Sequence, residues 1–259
     1  MLNVIHEAEA LQNSGRWKEA AQIYQTALAA PPSAYSHVYW FNLGVLYGQN
    51  NAQQEAEDAY RSAIYTKPDF IQAWFNLGAS VERAGRKEHA ITIWQSMLDH
   101  PLVTRNKEVD MYIMVLNAMG RIHEEMRLFE ASEKFLFESL QTQPDQPKVI
   151  QHWVHLRQKQ CKWPIYSDIE GTDKGELLKW TSPLAMLSAS DDPGMQLATA
   201  MRFVHEKVNM RLPTLTSGKP LPFKGDRKVR LGFLSSDFCM HAVSLLTVEL
   251  FELLDKSKI

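Results

Sequence analysis

Two sets of residues in this chain have types and spacings that could do chemistry. The first is Ser235, Ser236, Asp237, Cys239, His241 and Ser244, inside the stretch Lys228 to Ser244 (KVRLGFLSSDFCMHAVS). A histidine titrates at about 6.5 when unperturbed, so His241 can carry a proton or hydrogen-bond a substrate near neutrality. Asp237 reads as a turn or cap residue, and nothing marks Cys239 as a nucleophile. The second set is Asn42, Asn76 and Asn117. Each amide offers a donor pair and an acceptor. A ladder of them could grip a peptide backbone without reading its side chains.

The elements around the first set follow from local pattern. Val229, Leu231 and Phe233 alternate with Arg230, Gly232 and Leu234, the period of a strand. Ser235, Ser236 and Asp237 suit a tight turn. Leu245 to Leu254 (LLTVELFELL) predicts a largely buried helix. Strand, turn and helix make the first βα unit of a Rossmann-like α/β lobe, a fold that binds ligands outside the carboxyl ends of its strands. Read from spacing alone, His241 fits a helix N-terminal residue that hydrogen-bonds locally better than an active-site group.

The second set lies on a repeat. Trp40, Leu43, Gly44, Tyr47, Ala56, Tyr60, Ala63 and Pro68 recur as Trp74, Leu77, Gly78, Val81, Ala90, Trp94 and Met97. The step is 34 residues from Trp40 to Trp74 and from Ala56 to Ala90. This is the tetratricopeptide pattern, with two antiparallel helices, A and B, per repeat. Ala20, Tyr24, Ala27 and Pro32 place an earlier repeat. Ala131, Phe135 and Pro144 place a later one, with Met119 where the glycine would fall. About four repeats result, enough to stack into a superhelix with a concave face. Numbered so that the small helix-B residue is position 20, Asn42, Asn76 and Asn117 all fall at position 6 of helix A, and His6 stands there in the first repeat. Position 6 faces the groove. Asparagine is also common there in such repeats generally, so a structural role stays open beside the binding one. Trp17, Trp40, Trp74 and Trp94 read as packing residues rather than a ligand cage. Arg105 to Asp110 (RNKEVD) reads as a solvated insertion.

A connector follows. Val149 to Cys161 predicts one more helix, with Ile150, Trp153, Val154, Leu156 and Cys161 as apolar positions, closing the array as an unpaired half-repeat. His152 and His155 lack the spacing of a helical metal pair and a third ligand, so both read as structural. Gly171 to Gly175 reads as a polar turn, and Ser182-Pro183 as a loop. A helix over Gly194 to Val208 takes Ser190 or Asp191 as its N-cap and Pro193 in its first turn. Leu212 to Arg227, rich in Pro and Gly, reads as a linker.

The order of these parts carries a resemblance. Ser235-Ser236-Asp237-Phe238, His241 and Ser244 resemble the start of the catalytic region of the O-linked N-acetylglucosaminyltransferase/SPINDLY-like family, bacterial type, whose members place tetratricopeptide repeats ahead of a two-lobed glycosyltransferase. The Ser182-Pro183 loop and Ser190-Asp191-Asp192-Pro193 helix start are similar to that family's connector. The resemblance implies transfer of a sugar to Ser or Thr of proteins, with UDP-GlcNAc as the default nucleotide-sugar substrate and no cofactor. It implies an active-site position for His241 and a peptide-backbone role for Asn42, Asn76 and Asn117. Cys239 stands where relatives often have glycine, and Ser182 where some carry histidines, so no catalytic role passes to that loop.

The predicted organisation is mainly α: tetratricopeptide repeats over 1–147, a helical connector and Pro-rich linker over 148–227, and the start of a glycosyltransferase lobe over 228–259. A parallel strand needs neighbours to satisfy its backbone, so one βα unit is an incomplete lobe. The expectation is an N-terminal portion of an enzyme, inactive alone, whose donor site lies elsewhere. The alternative is a tetratricopeptide adaptor with a non-catalytic remnant. Net charge of −2 offers no electrostatic case for nucleic acid or an anionic membrane. The sequence shows no signal-peptide pattern and no apolar run of the roughly 18 residues a span needs. Two distant cysteines, Cys161 and Cys239, suit a reducing compartment, so a cytoplasmic location is expected. The expected partner is a protein or peptide acceptor in the concave groove.

Overall fold

The computed structural model describes residues 2–103, 108–207, 232–255 and 257. They divide between two compact units, Met1–Val208 and Asn209–Ile259.

The first unit opens with four helix pairs: α1 Leu2–Asn13 with α2 Trp17–Ala29, α3 Ser36–Gln49 with α4 Gln53–Thr66, α5 Ile71–Arg83 with α6 Lys87–Leu98, and α7 Val109–Glu125 with α8 Phe129–Thr142. Each pair packs internally, and each B helix packs on the next A helix. The close approach within a pair rests on one residue. A Cβ on Gly44, Gly78 or Gly120 would meet the side chain of Tyr60, Trp94 or Leu136 within 2.6 Å or less. Those contacts define common positions, 8 on helix A and 24 on helix B. The small buried residue at position 20 is then Ala20, Ala56, Ala90 and Ser132. The fourth repeat therefore runs one residue later than the sequence reading. Gly120, not Met119, holds the glycine place, and Ser132, not Ala131, the small one. Adjacent pairs of small residues left that register open.

The A helices also end alike. Arg16, Ala52, Arg86, Leu128 and Lys162 each donate their backbone N–H to the carbonyl five residues back, on Leu11, Tyr47, Val81, His123 and Arg157. The residue before each donor has a left-handed backbone: Gly15, Asn51, Gly85, Arg127 and Cys161. This is the Schellman ending. Its fifth occurrence closes α9 Pro147–Lys159, which is thus a fifth A helix. Ile150, Trp153, Val154 and Leu156 are buried as expected, whereas Cys161 is exposed because it forms the turn. No B helix follows within two or three residues. Instead α10 Lys174–Trp180 and α11 Pro183–Ala189 pack on α9.

Both short helices correct the sequence reading. Asp173 caps α10 by accepting from Glu176 N–H, so Gly175 is helical. Ser182 caps α11 by accepting from Ala185 N–H, so the Ser182-Pro183 loop is a helix start. The cap of α12 Pro193–Lys207 is Asp192, whose Oδ1 accepts from Gly194 and Met195 N–H. Ser190 and Asp191 lie before it.

In the second unit, α13 Ala242–Leu253 forms where a helix was expected. None of its residues is buried, with Leu245, Leu246 and Leu253 most open. The strand is not found. Residues 232–235 are irregular, and no strand occurs among the described residues. A lone strand has no ladder partner for its N–H and C=O groups. Val229 to Leu231, the linker Leu212 to Arg227, and Arg105 to Lys107 lie outside the described residues. Glu108 precedes α7, and Val109 and Asp110 begin it rather than ending a loop.

Candidate peptide-binding site

The position-6 residues lie on consecutive A helices. Asn42 on α3 and Asn76 on α5 are half-buried and share the same register. Each lies beside the tyrosine at position 24 of the preceding repeat, Asn42 by Tyr24 and Asn76 by Tyr60, and acts to lower the pKa of that phenol. Burial pushes both phenols up, Tyr60 to about 12, and the neighbouring amides oppose that rise. Each amide thus has a partly buried tyrosine as its neighbour across the repeat junction. The sequence reading missed these tyrosines as partners, although a hydroxyl-bearing aromatic at position 24 was visible twice.

Asn117 does not continue this row. With Gly120 at position 8, position 6 of the fourth repeat is Ala118, and Asn117 sits one residue earlier. Its Nδ2 donates 2.9 Å to Oε1 of Gln146. Gln146 is in turn held by the carbonyls of Ser139 and Gln143, at 3.1 and 2.8 Å. Asn117 thus ties α7 to the α8–α9 connection. The residue at position 24 of the third repeat is Trp94, whose Nε1 donates to Phe75 O, so the tyrosine is absent where the asparagine is absent. His6 stands exposed on α1, and His152 holds position 6 on α9, contacting Glu124. Trp17, Trp40 and Trp74 pack against the core clusters, and Trp94 is fully buried.

The Ser235 to Ser244 stretch is a closed local network. Ser235 Oγ accepts from Asp237 N–H at 3.1 Å, and Ser244 Oγ donates to Asp237 O at 2.7 Å. His241 is the N-cap of α13: its Nδ1 accepts from Val243 N–H at 3.2 Å and lies 3.9 Å from Asp237 Oδ2. Phe233 and Phe238 both stack edge-on against Phe251. The loop is thus shaped by its own hydroxyls and aromatics, with His241 half exposed. No three His, Cys, Asp or Glu converge as for a metal ion among the described residues.

Comparison with known proteins bears on the repeats. Two tetratricopeptide-repeat family models match, over residues 8–33 and 37–70. The peroxisomal targeting signal receptor of Saccharomyces cerevisiae is 32% identical over 88 residues, 34% of this chain and 14% of that protein. A probable biofilm formation methyltransferase of Pseudomonas aeruginosa, WspC, is 34% identical over 84 residues, 32% of this chain and 19% of that one. This chain thus spans less than a fifth of either relative. Among solved structures, PilF of Pseudomonas aeruginosa superposes with a TM-score of 0.53 at 17% identity, covering 79% of this chain and 90% of PilF. A MamA protein gives 0.52 at 12% identity, covering 82% and 97%. These likenesses are of fold. No helix among the described residues is long and apolar enough to cross a membrane. The chain carries tetratricopeptide repeats, an all-helical stack of the kind seen in both solved structures.

Proposed function

We propose that the repeat array holds an extended protein segment along its A-helix face. We further propose that this chain is the acceptor-recruiting part of a protein O-glycosyltransferase. The observation that carries the first step is the matched pair Asn42 and Asn76, half-buried at the same position of consecutive A helices and each beside a tyrosine of the preceding repeat. A half-buried side chain loses less freedom than an exposed one when it binds a backbone. The second step rests on the resemblance of Ser235 to Ser244 to the start of a catalytic region, with UDP-GlcNAc as donor substrate and His241 at the cleft. The curated relatives bear on the division of labour, since their names state a receptor and a methyltransferase. Repeats of this type accompany different activities.

The test is calorimetry with Ser/Thr-rich extended peptides. Asn42→Ala with Asn76→Ala should weaken binding by about tenfold or more, the worth of one or two amide hydrogen bonds. Unchanged affinity would remove the groove from the mechanism. The same groove also fits a tetratricopeptide adaptor without catalysis. Transfer of labelled N-acetylglucosamine to the peptide by protein carrying this chain, lost in His241→Ala, supports the transferase. Peptide capture with no transfer supports the adaptor.

A further inference from the structure

A cavity of about 910 Å³ opens where α7, α8 and the turn after α9 meet. It lies away from the position-6 asparagines, and none of them lines it. Its apolar wall is Leu128, Phe129 and Phe137, and Leu128 is 49% exposed.

The opposite wall is braced. Arg157 donates to the carbonyls of Ile165 and Pro164 at 2.7 and 2.8 Å, pinning the segment after α9. Its Nη1 also donates 2.6 Å to Glu133, which Lys162 and Gln160 contact at 2.5 and 3.0 Å. Burial alone would raise the Glu133 carboxyl, but Lys162 and Arg157 outweigh it and hold it below its ordinary range. Two cations of the lining are therefore already engaged by one buried carboxylate.

Two others are not. Arg127 and Lys134 line the cavity, are exposed, and form no ion pair among the described residues. Of the two acids in the lining, Glu133 is held by Arg157 and Lys162, which leaves Glu130 beside Arg127 and Lys134. The N-terminus of α8 also faces this space, with no side-chain cap on its first amides. Uncapped amides and the helix dipole favour an anion. Arg127 carries a further mark: it holds the left-handed C-terminal position, φ 60°, where the first and third repeats have glycine.

From this charge complementarity we infer that the cavity is a second peptide site, taking an acidic segment with an apolar side chain beside its carboxylate. The carboxylate would meet Arg127 and Lys134, and the apolar side chain Leu128, Phe129 and Phe137.

The experiment is fluorescence anisotropy with a labelled peptide of alternating glutamate and phenylalanine, against its lysine-phenylalanine counterpart. The glutamate peptide should bind about tenfold tighter than the lysine one, and less tightly as salt rises. Arg127→Glu with Lys134→Glu should weaken it by about tenfold or more. Arg127→Gly should weaken it too without loss of stability, since glycine suits a positive φ. Asn42→Ala with Asn76→Ala should leave it unchanged, which separates this site from the groove. Equal binding of both peptides, no binding, indifference to the charge reversal, or loss in the asparagine pair would each overturn the assignment.

Discussion

Tyr60 shows how one side chain serves both packing and the site. Its ring fills the space that Gly44 leaves open, and the Asn76 amide beside it acts on the titration of its hydroxyl. Burial raises its pKa from 10.0 to about 12, against the opposing effects of Arg83 and Asn76. The folded chain thus holds this proton more tightly than the unfolded chain. The resulting stability is present below pH about 10 and is lost as pH rises towards about 12. Tyr60→Phe should therefore flatten the alkaline fall in urea-unfolding stability relative to the parent, while costing about 1 kcal/mol at neutral pH. Equal alkaline slopes in both proteins would mean that Tyr60 is not titrating from a buried site. The aromatic at position 24 was legible in the sequence as a core residue. Its partnership with Asn76 was not, because it joins two repeats through a register that only the stacked helices set.

At the scale of the helix, the A–B contact depends on the missing Cβ at position 8. A methyl on Gly78 would stand 2.1 Å from Trp94 Nε1 and 2.3 Å from Cε2. Trp94 is fully buried and its Nε1 is bonded to Phe75 O, so the indole cannot swing aside freely. Gly78→Ala should cost about 1–3 kcal/mol by overpacking. Gly48 in α3 has nothing closer than 3.9 Å, so Gly48→Ala should instead be neutral or gain up to about 1 kcal/mol of helix preference. Chemical denaturation of the two variants separates close packing from a general intolerance of helical alanine. Gly44, Gly78, the 34-residue step and the repeat helices were readable from sequence, because each is repeated, whereas Gly120 was missed with the shifted register. The connector was harder. α10 and α11 are seven residues each, too short to show a helical period, and their caps Asp173 and Ser182 look like turn residues. The strand expected over Val229 to Phe233 failed at its described end, because alternation states a preference and a ladder needs a neighbour.

For the repeat array as a whole, the register decides what the asparagines mean. Five Schellman endings mark five A helices, and the interval between the third and fourth is longer than the others. A reading by small residues alone absorbs that change one position too early, which is how Asn117 came to look like the third rung of a ladder. In the folded unit it is a brace between α7 and Gln146, with its Oδ1 buried and making no hydrogen bond among the described residues. The two roles have opposite signatures. Asn117→Ala should lower stability by about 1 kcal/mol, as the loss of a partly buried hydrogen bond does, and leave extended-peptide affinity where it was. Asn42→Ala with Asn76→Ala should do the reverse, with its larger effect on affinity. Calorimetric titration and thermal unfolding of the same three proteins measure both. If Asn117→Ala weakened the peptide as much as the Asn42 and Asn76 pair does, the groove would extend into the fourth repeat despite its shifted register. If it weakens only the fold, the proposed peptide contact is confined to the second and third repeats, and an extended segment would have to be recognised within their span.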